Sequence, residues 1–222
     1  MQLFLFFAIN QIKNILMNAY KHAEISVKKR GGVIEDYYHI HSLMDSTKEL
    51  CSDNRHRILH NLWGIRRVII PIIGHTIVNS DGKKVNVKDL CEQDHVLPDY
   101  HNKFIPTLHD FVDTITINDS PNNLLVFFES IMKEYANDKE VTNLLLSPFS
   151  LTGDLKSLFI THNSWFINEM IPKIFNRKFT LKSQLPSPNQ LFSAMNFKLW
   201  MDNGSAYPTS ASKIEKLIKQ TF

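Results

Sequence analysis

The chain has 222 residues, a formal charge of +3, 43% hydrophobic and 21% charged residues. That length allows one large domain or two small ones, each with a real core. Lys+Arg and Asp+Glu number 14 and 13 over residues 1 to 118, and 11 and 9 over 119 to 222, so net charge gives nucleic-acid binding no support. Two cysteines, Cys51 and Cys91, with no CxxC pair, suggest neither a disulfide framework nor a zinc knuckle and fit a reducing compartment.

Leu3 to Ile9 is apolar, but it has no basic flank or small-residue cleavage site, and it is too short to cross a bilayer. No membrane role follows from it. It reads as the face of a first helix over 3 to 29, with Met17 an alternative start; Lys28-Lys29-Arg30 and Gly31-Gly32 are the stop signals. A second helix is predicted from about Glu35 to Cys51. A third runs from about Asp53 to Ile73, capped by Ser52 or Asp53, closed by Gly74, and kinked or ended by Pro71. The pattern then alternates: Thr76 to Asn79 and Lys84 to Val87 flank Ser80-Asp81-Gly82-Lys83, the signature of a β-hairpin near 76–87. Asp89 to Asp99 reads as a short helix or turn, and Ile105-Pro106-Thr107 opens a helix through Ile115.

Asn118 to Asn123 is a dense turn cluster. It divides the chain into a His-rich helical domain, 1–118, and an all-helical domain, 119–222. Helices are predicted in the latter over Asn122 to Ala136, Lys139 to Leu146, Leu155 to Phe175, Asn189 to Met201 and Ser212 to Gln220. No repeat of 20 to 50 residues is apparent. The fold class is mainly α with one hairpin. Aromatic residues recur through 119–222, from Phe127 and Phe128 to Trp200, which makes this part the candidate surface for self-association or a protein partner.

Nine of the ten histidines fall between residues 22 and 109. His41 and Asp45 are four apart, as are His56 and His60; Glu92 and His95 are three apart. On helices such spacings bring side chains onto one face. A His/Asp/Glu set without thiolate suits a divalent metal such as zinc, manganese or iron in an open site. The candidate metal ligands are therefore His41, Asp45, His56, His60 and His95, with Arg57 and Glu92 as candidate catalytic residues. Arg57 stands where a zinc protease needs glutamate, which excludes that class. A guanidinium beside a metal costs energy unless an anion sits with it, so Arg57 points to a phosphate-bearing substrate or to no metal. Metal-assisted hydrolysis of a phosphate ester is one reading. The alternative is a non-catalytic protein whose polar network ties helices together.

The linked run Asp36-Tyr37 through His41, Asp45-Ser46, Asn54-Arg55-His56-Arg57, His60, Asn79-Ser80-Asp81-Gly82, Glu92-Gln93, His95-Val96 and Ile105-Pro106-Thr107 resembles a family of small bacterial and bacteriophage proteins known only as a domain of unknown function. The resemblance spans about residues 19–115. It departs at Asp94, which stands between Gln93 and His95 where the pattern has no residue. It implies no activity; it does imply a phage or mobile-element origin, and with it the cytoplasm of a bacterial host or a virion.

Overall fold

A computed structural model describes residues 18–51, 53–116, 121–177 and 187–195. Among them the architecture is mainly helical, with one two-stranded antiparallel hairpin. No helix there is long and apolar enough to cross a membrane. The predicted segments 1–17, 196–201 and 212–220 lie outside the described residues, as does the first half of the turn cluster at 118–123; its second half, 121–123, begins a helix.

The first described helix, α1 (Ala19–Arg30), starts afresh at Asn18, whose extended backbone and side chain, accepting from Lys21 N, cap it. Residues 3 to 17 of the helix predicted over 3 to 29 lie outside the described residues; the described part begins at Ala19. Its end is as read, with Gly31 at φ 81°. Helix α2 (Ile34–Met44) is shorter than predicted and stops at Asp45, followed by a 3-10 turn, Ser46–Glu49.

The third predicted helix breaks in two. Asp53 caps it as expected, but Asn54–Leu59 is a 3-10 turn kinked at Arg57. Asn61 then stops it: its amide donates to Ile58 O at 2.7 Å and its oxygen accepts from Gly64 N at 3.0 Å, restarting the chain as α3 (62–73). Pro71 does not end that helix, because a π turn, Ile65–Ile69, widens the coil just before it and accommodates the missing N–H.

Strands β1 (Thr76–Val78) and β2 (Lys84–Asn86) pair Ile77 with Val85 across the expected turn, where Gly82 has φ 75°. The hairpin tip is anchored rather than free: Asp81 accepts from Gly32 N and Asp36 accepts from Ser80 N and Oγ. Asn86 caps α4 (87–99), whose middle, Cys91–Val96, is again a π turn ahead of a proline. A wide turn takes up one residue more than an α turn. The turn includes Asp94 and His95. Thr107 and Asp110 cap each other at the start of α5 (Leu108–Val112).

Beyond it come α6 (Pro121–Tyr135), α7 (Lys139–Thr152), a 3-10 turn Leu155–Ile160, α8 (164–175) and α9 (Pro188–Ala194). The predicted helix over Leu155 to Phe175 is split at Asn163 just as the third was split at Asn61. Asn163 donates to Ile160 O and accepts from Phe166 N. The likeness is general: His60-Asn61-Leu62-Trp63 and His162-Asn163-Ser164-Trp165 each follow an Asp-capped 3-10 turn and lead into a helix with a π turn before a proline. This motif recurs once at an offset of 102 residues, beyond the 20 to 50 residue range of ordinary repeats. The two copies meet where Trp63 stacks on Phe166, with ring centroids 6.1 Å apart, and donates to Ser147 Oγ at 2.8 Å. One apolar cluster runs through both halves, from Ala23, Tyr37 and Ile40 through Leu90 and Phe111 to Phe166, Ile171 and Phe192.

Candidate functional site

Four elements deliver polar side chains into this core: α1 gives His22 and Ser26, α2 gives His41 and Asp45, the 54–60 turn gives His56, Arg57 and His60, and α4 gives Asp94, His95 and Asp99. All are buried. Unpaired polar groups at such depth cost several kcal/mol, on the order of 2–7 for a neutral group and more for a charge, so their partners decide what the cluster is.

The outward-facing ring nitrogens have protein partners. His22 Nδ1 lies 3.0 Å from Asp94 O, His56 Nδ1 2.5 Å from Asp53 O, and His60 Nε2 3.2 Å from Met44 O. A carbonyl only accepts, so each of these nitrogens carries the hydrogen and the other is bare in the neutral ring. For His95 the assignment comes through a relay. Ser26 Oγ donates its single hydrogen to Asp94 Oδ2 at 3.0 Å and therefore accepts from His41 Nε2 at 2.9 Å. His41 Nδ1 is then bare and accepts from His95 Nδ1 at 2.9 Å, leaving His95 Nε2 bare. Arg30, 2.5 Å away, and Lys29 hold the Asp94 end of the relay.

These bare atoms face inward. His22 Nε2, His56 Nε2, His60 Nδ1, His95 Nε2 and Asp45 Oδ1 are all buried without a hydrogen-bond partner. Asp45 Oδ1 has His60 Nε2 and His95 Nε2 at 3.6 Å and His56 Nε2 at 3.8 Å; its other oxygen takes the Lys48 ammonium at 2.7 Å. Asp99 Oδ1 is 3.3 Å from His22 Nε2, and Oδ2 is 2.9 Å from His60 Nδ1 and 3.8 Å from His95 Nε2. Donor atoms of His22, His95 and Asp99 lie within 4.8 Å of one another, as do those of Asp45, His60 and His95, so either group could hold a metal ion.

Burial, reinforced by the neighbouring rings, pushes His95 and His56 down to about 3, and His41 lower still. The carboxyls remain ionised: burial opposes this at Asp45, but His95, His60 and Lys48 outweigh it, and at Asp99 His22 and His60 do the same. Of the imidazoles facing these two buried carboxylates, burial therefore favours the neutral form at His56 and His95.

Of the residues singled out from sequence, Asp45, His56, His60 and His95 converge. His41 lies behind them with both nitrogens engaged. Arg57 Nε sits 3.6 Å from Asp99 Oδ2, and its guanidinium lies 5.1 Å over the Tyr100 ring. Glu92 pairs with Lys88 at 2.7 Å and enters neither donor group. His56 and His60 meet edge to face through the break at 60–61, not as neighbours on one α-helical face. Asp99, Ser26 and Asp94 were missed. The four-residue steps from His22 to Ser26 and from His95 to Asp99 were the available signals, and the latter was passed over for Glu92. His39, His75, His101 and His109 are exposed.

A family model described as a domain of unknown function (DUF6915) matches residues 17–120, which contain every residue of the cluster. Neither the curated proteins nor the solved structures yield a match.

Proposed function

We propose that the part of the chain similar to this family of unknown function binds a divalent transition-metal ion at Asp45, His60 and His95, with His56 beside them. The observation that carries the reading is the unpartnered Asp45 Oδ1 with the bare Nε2 atoms of His56 and His95 beside it, and the bare Nδ1 of His60 in the same buried cluster. The separations of 3.8 and 3.6 Å from Asp45 Oδ1 to His56 Nε2 and His95 Nε2 are too long for hydrogen bonds. They are close to the roughly 3.3–3.6 Å edge of a tetrahedron whose metal–ligand bonds are about 2.0–2.2 Å. Carbonyl partners on the far ring nitrogens are the usual support for metal-binding histidines, and three such partners and one relay are present. Thiolates are absent from the donor set, which favours zinc, manganese or iron.

The reaction we infer is hydrolysis of a phosphate ester, since a divalent ion brings the pKa of bound water to about 7. Lys48 is committed to Asp45 Oδ2 at 2.7 Å, so Arg57, 3.6 Å from Asp99 Oδ2, is the cation that would take the anionic oxygens. Glu92 would serve as acid or base only after leaving Lys88. A second reading is favoured by Asp99: its oxygens lie 3.3 and 2.9 Å from His22 and His60, distances at which imidazolium–carboxylate pairs need no metal. The expectation that residues 119–222 present an association surface draws support from exposed Leu125, Val126 and Leu151, and light scattering checks it.

The test is metal content per chain of protein purified without chelator, followed by uptake of Zn²⁺ and Mn²⁺. At least one ion per chain is expected, falling at least tenfold in affinity in Asp45→Ala and His60→Ala. A folded protein that takes up neither ion refutes the proposal. Release of nitrophenol from phosphate mono- and diesters by the loaded protein, abolished in Arg57→Ala, tests the hydrolytic reading.

A further inference from the structure

Asp99 and His22 lie outside the set to which the metal has just been assigned, yet they are 5% and 0% exposed. The His22 ring stacks on His95 with centroids 3.8 Å apart and planes 17° from parallel, and their bare Nε2 atoms approach the two oxygens of the one Asp99 carboxylate. Asp99 Oδ2 also faces the bare Nδ1 of His60 at 2.9 Å. Asp99 therefore stands between two donor groups, with one oxygen toward His22 and the other toward His60. The inward-facing atoms form two triads, not one sphere: His22, His95 and Asp99, and Asp45, His60 and His95. A single ion in either triad would leave buried, inward-facing donors of the other without a cation.

We propose that the cluster is a two-ion centre bridged by Asp99, a proposal that rests on the metal-binding reading above. His22, His95 and one Asp99 oxygen hold the first divalent ion; Asp45, His56, His60 and the other Asp99 oxygen hold the second. His95 has one bare nitrogen and serves one ion, and its stacking on His22 places it with the first. His56, whose bare Nε2 is 3.8 Å from Asp45 Oδ1, takes its place at the second. Two carboxylates balance half the charge of two divalent ions, and Arg57 Nε, 3.6 Å from Asp99, adds to the excess. Such a centre selects an anion with oxygens to share between the ions, and a phosphate group fits that description. Paired ions about 3.5–4 Å apart are the arrangement used for in-line displacement at phosphorus.

The experiment strips the full-length protein of metal, saturates it with Mn²⁺, and measures ions per chain together with the electron paramagnetic resonance spectrum. Two ions per chain with a spin-coupled spectrum are expected. In His22→Gln one ion per chain should remain, giving an uncoupled six-line signal. One ion per chain in the unaltered protein at saturation overturns the two-ion centre but leaves the single-ion reading standing; so does a folded His22→Gln variant that keeps two coupled ions. No uptake by the unaltered protein overturns both. The unaltered protein's stoichiometry decides even if the variant fails to fold.

Discussion

Acid should destabilise the metal-free protein well above the range where carboxylates titrate. His95, His56 and His41 have an ordinary value of 6.5, but in the folded protein burial holds the first two at about 3 and the third lower. Between those limits the unfolded chain binds protons that the folded chain refuses, so stability is fully present above pH 6.5 and falls as the pH drops. At pH 5 each ring is 1.5 units below its unfolded value, and at about 1.36 kcal/mol per unit each removes about 2 kcal/mol. The three together remove up to about 6 kcal/mol, comparable with the whole stability of a typical domain, roughly 5–15 kcal/mol. Asp45 and Asp99 work in the same sense but over a lower range: their lowered values give stability that is lost as the pH falls through the carboxylate range, below pH 5. Urea unfolding of chelator-treated protein at pH 7.5, 6 and 5 measures the loss directly. A change below about 1 kcal/mol would mean that these rings are already imidazolium in the folded protein, paired with Asp45 and Asp99. That would refute the assignment of bare nitrogens and favour the metal-free network.

Ser26→Ala cuts the relay that turns His95 Nε2 inward, so metal affinity measured by chelator competition should fall roughly 10- to 100-fold, the usual effect of losing such support, while the fold is kept; unchanged affinity would show that packing alone orients His95. Gly64→Ala should cost about 1–3 kcal/mol in urea unfolding, because a Cβ there meets the Leu59 carbonyl, with its carbon at 2.8 Å, and pushes α3 off the turn carrying His56 and His60. A neutral result would mean the turn yields freely.

The sequence by itself determined the local pieces. The stop at Gly31, the cap at Asp53, the helix opened by Ile105-Pro106-Thr107 and the hairpin around Asp81-Gly82 are set by a few residues each, and all stand as read. It also marked Asp45, His56, His60 and His95, because spacing alone draws attention to such pairs. Tertiary structure decided how they meet. Asn61 and Asn163 look like ordinary helix interior in sequence, yet each breaks a long apolar run by capping the next helix, and a side chain's choice between solvent and backbone depends on what packs around it. Along α4, whose middle at 91–96 is a π turn, it is His95 and Asp99, not Glu92, that reach His22 and Asp45. His41 illustrates the limit most clearly: spacing puts it beside Asp45, but only contacts across 15 and 54 residues, to Ser26 and His95, give its ring a place behind the site.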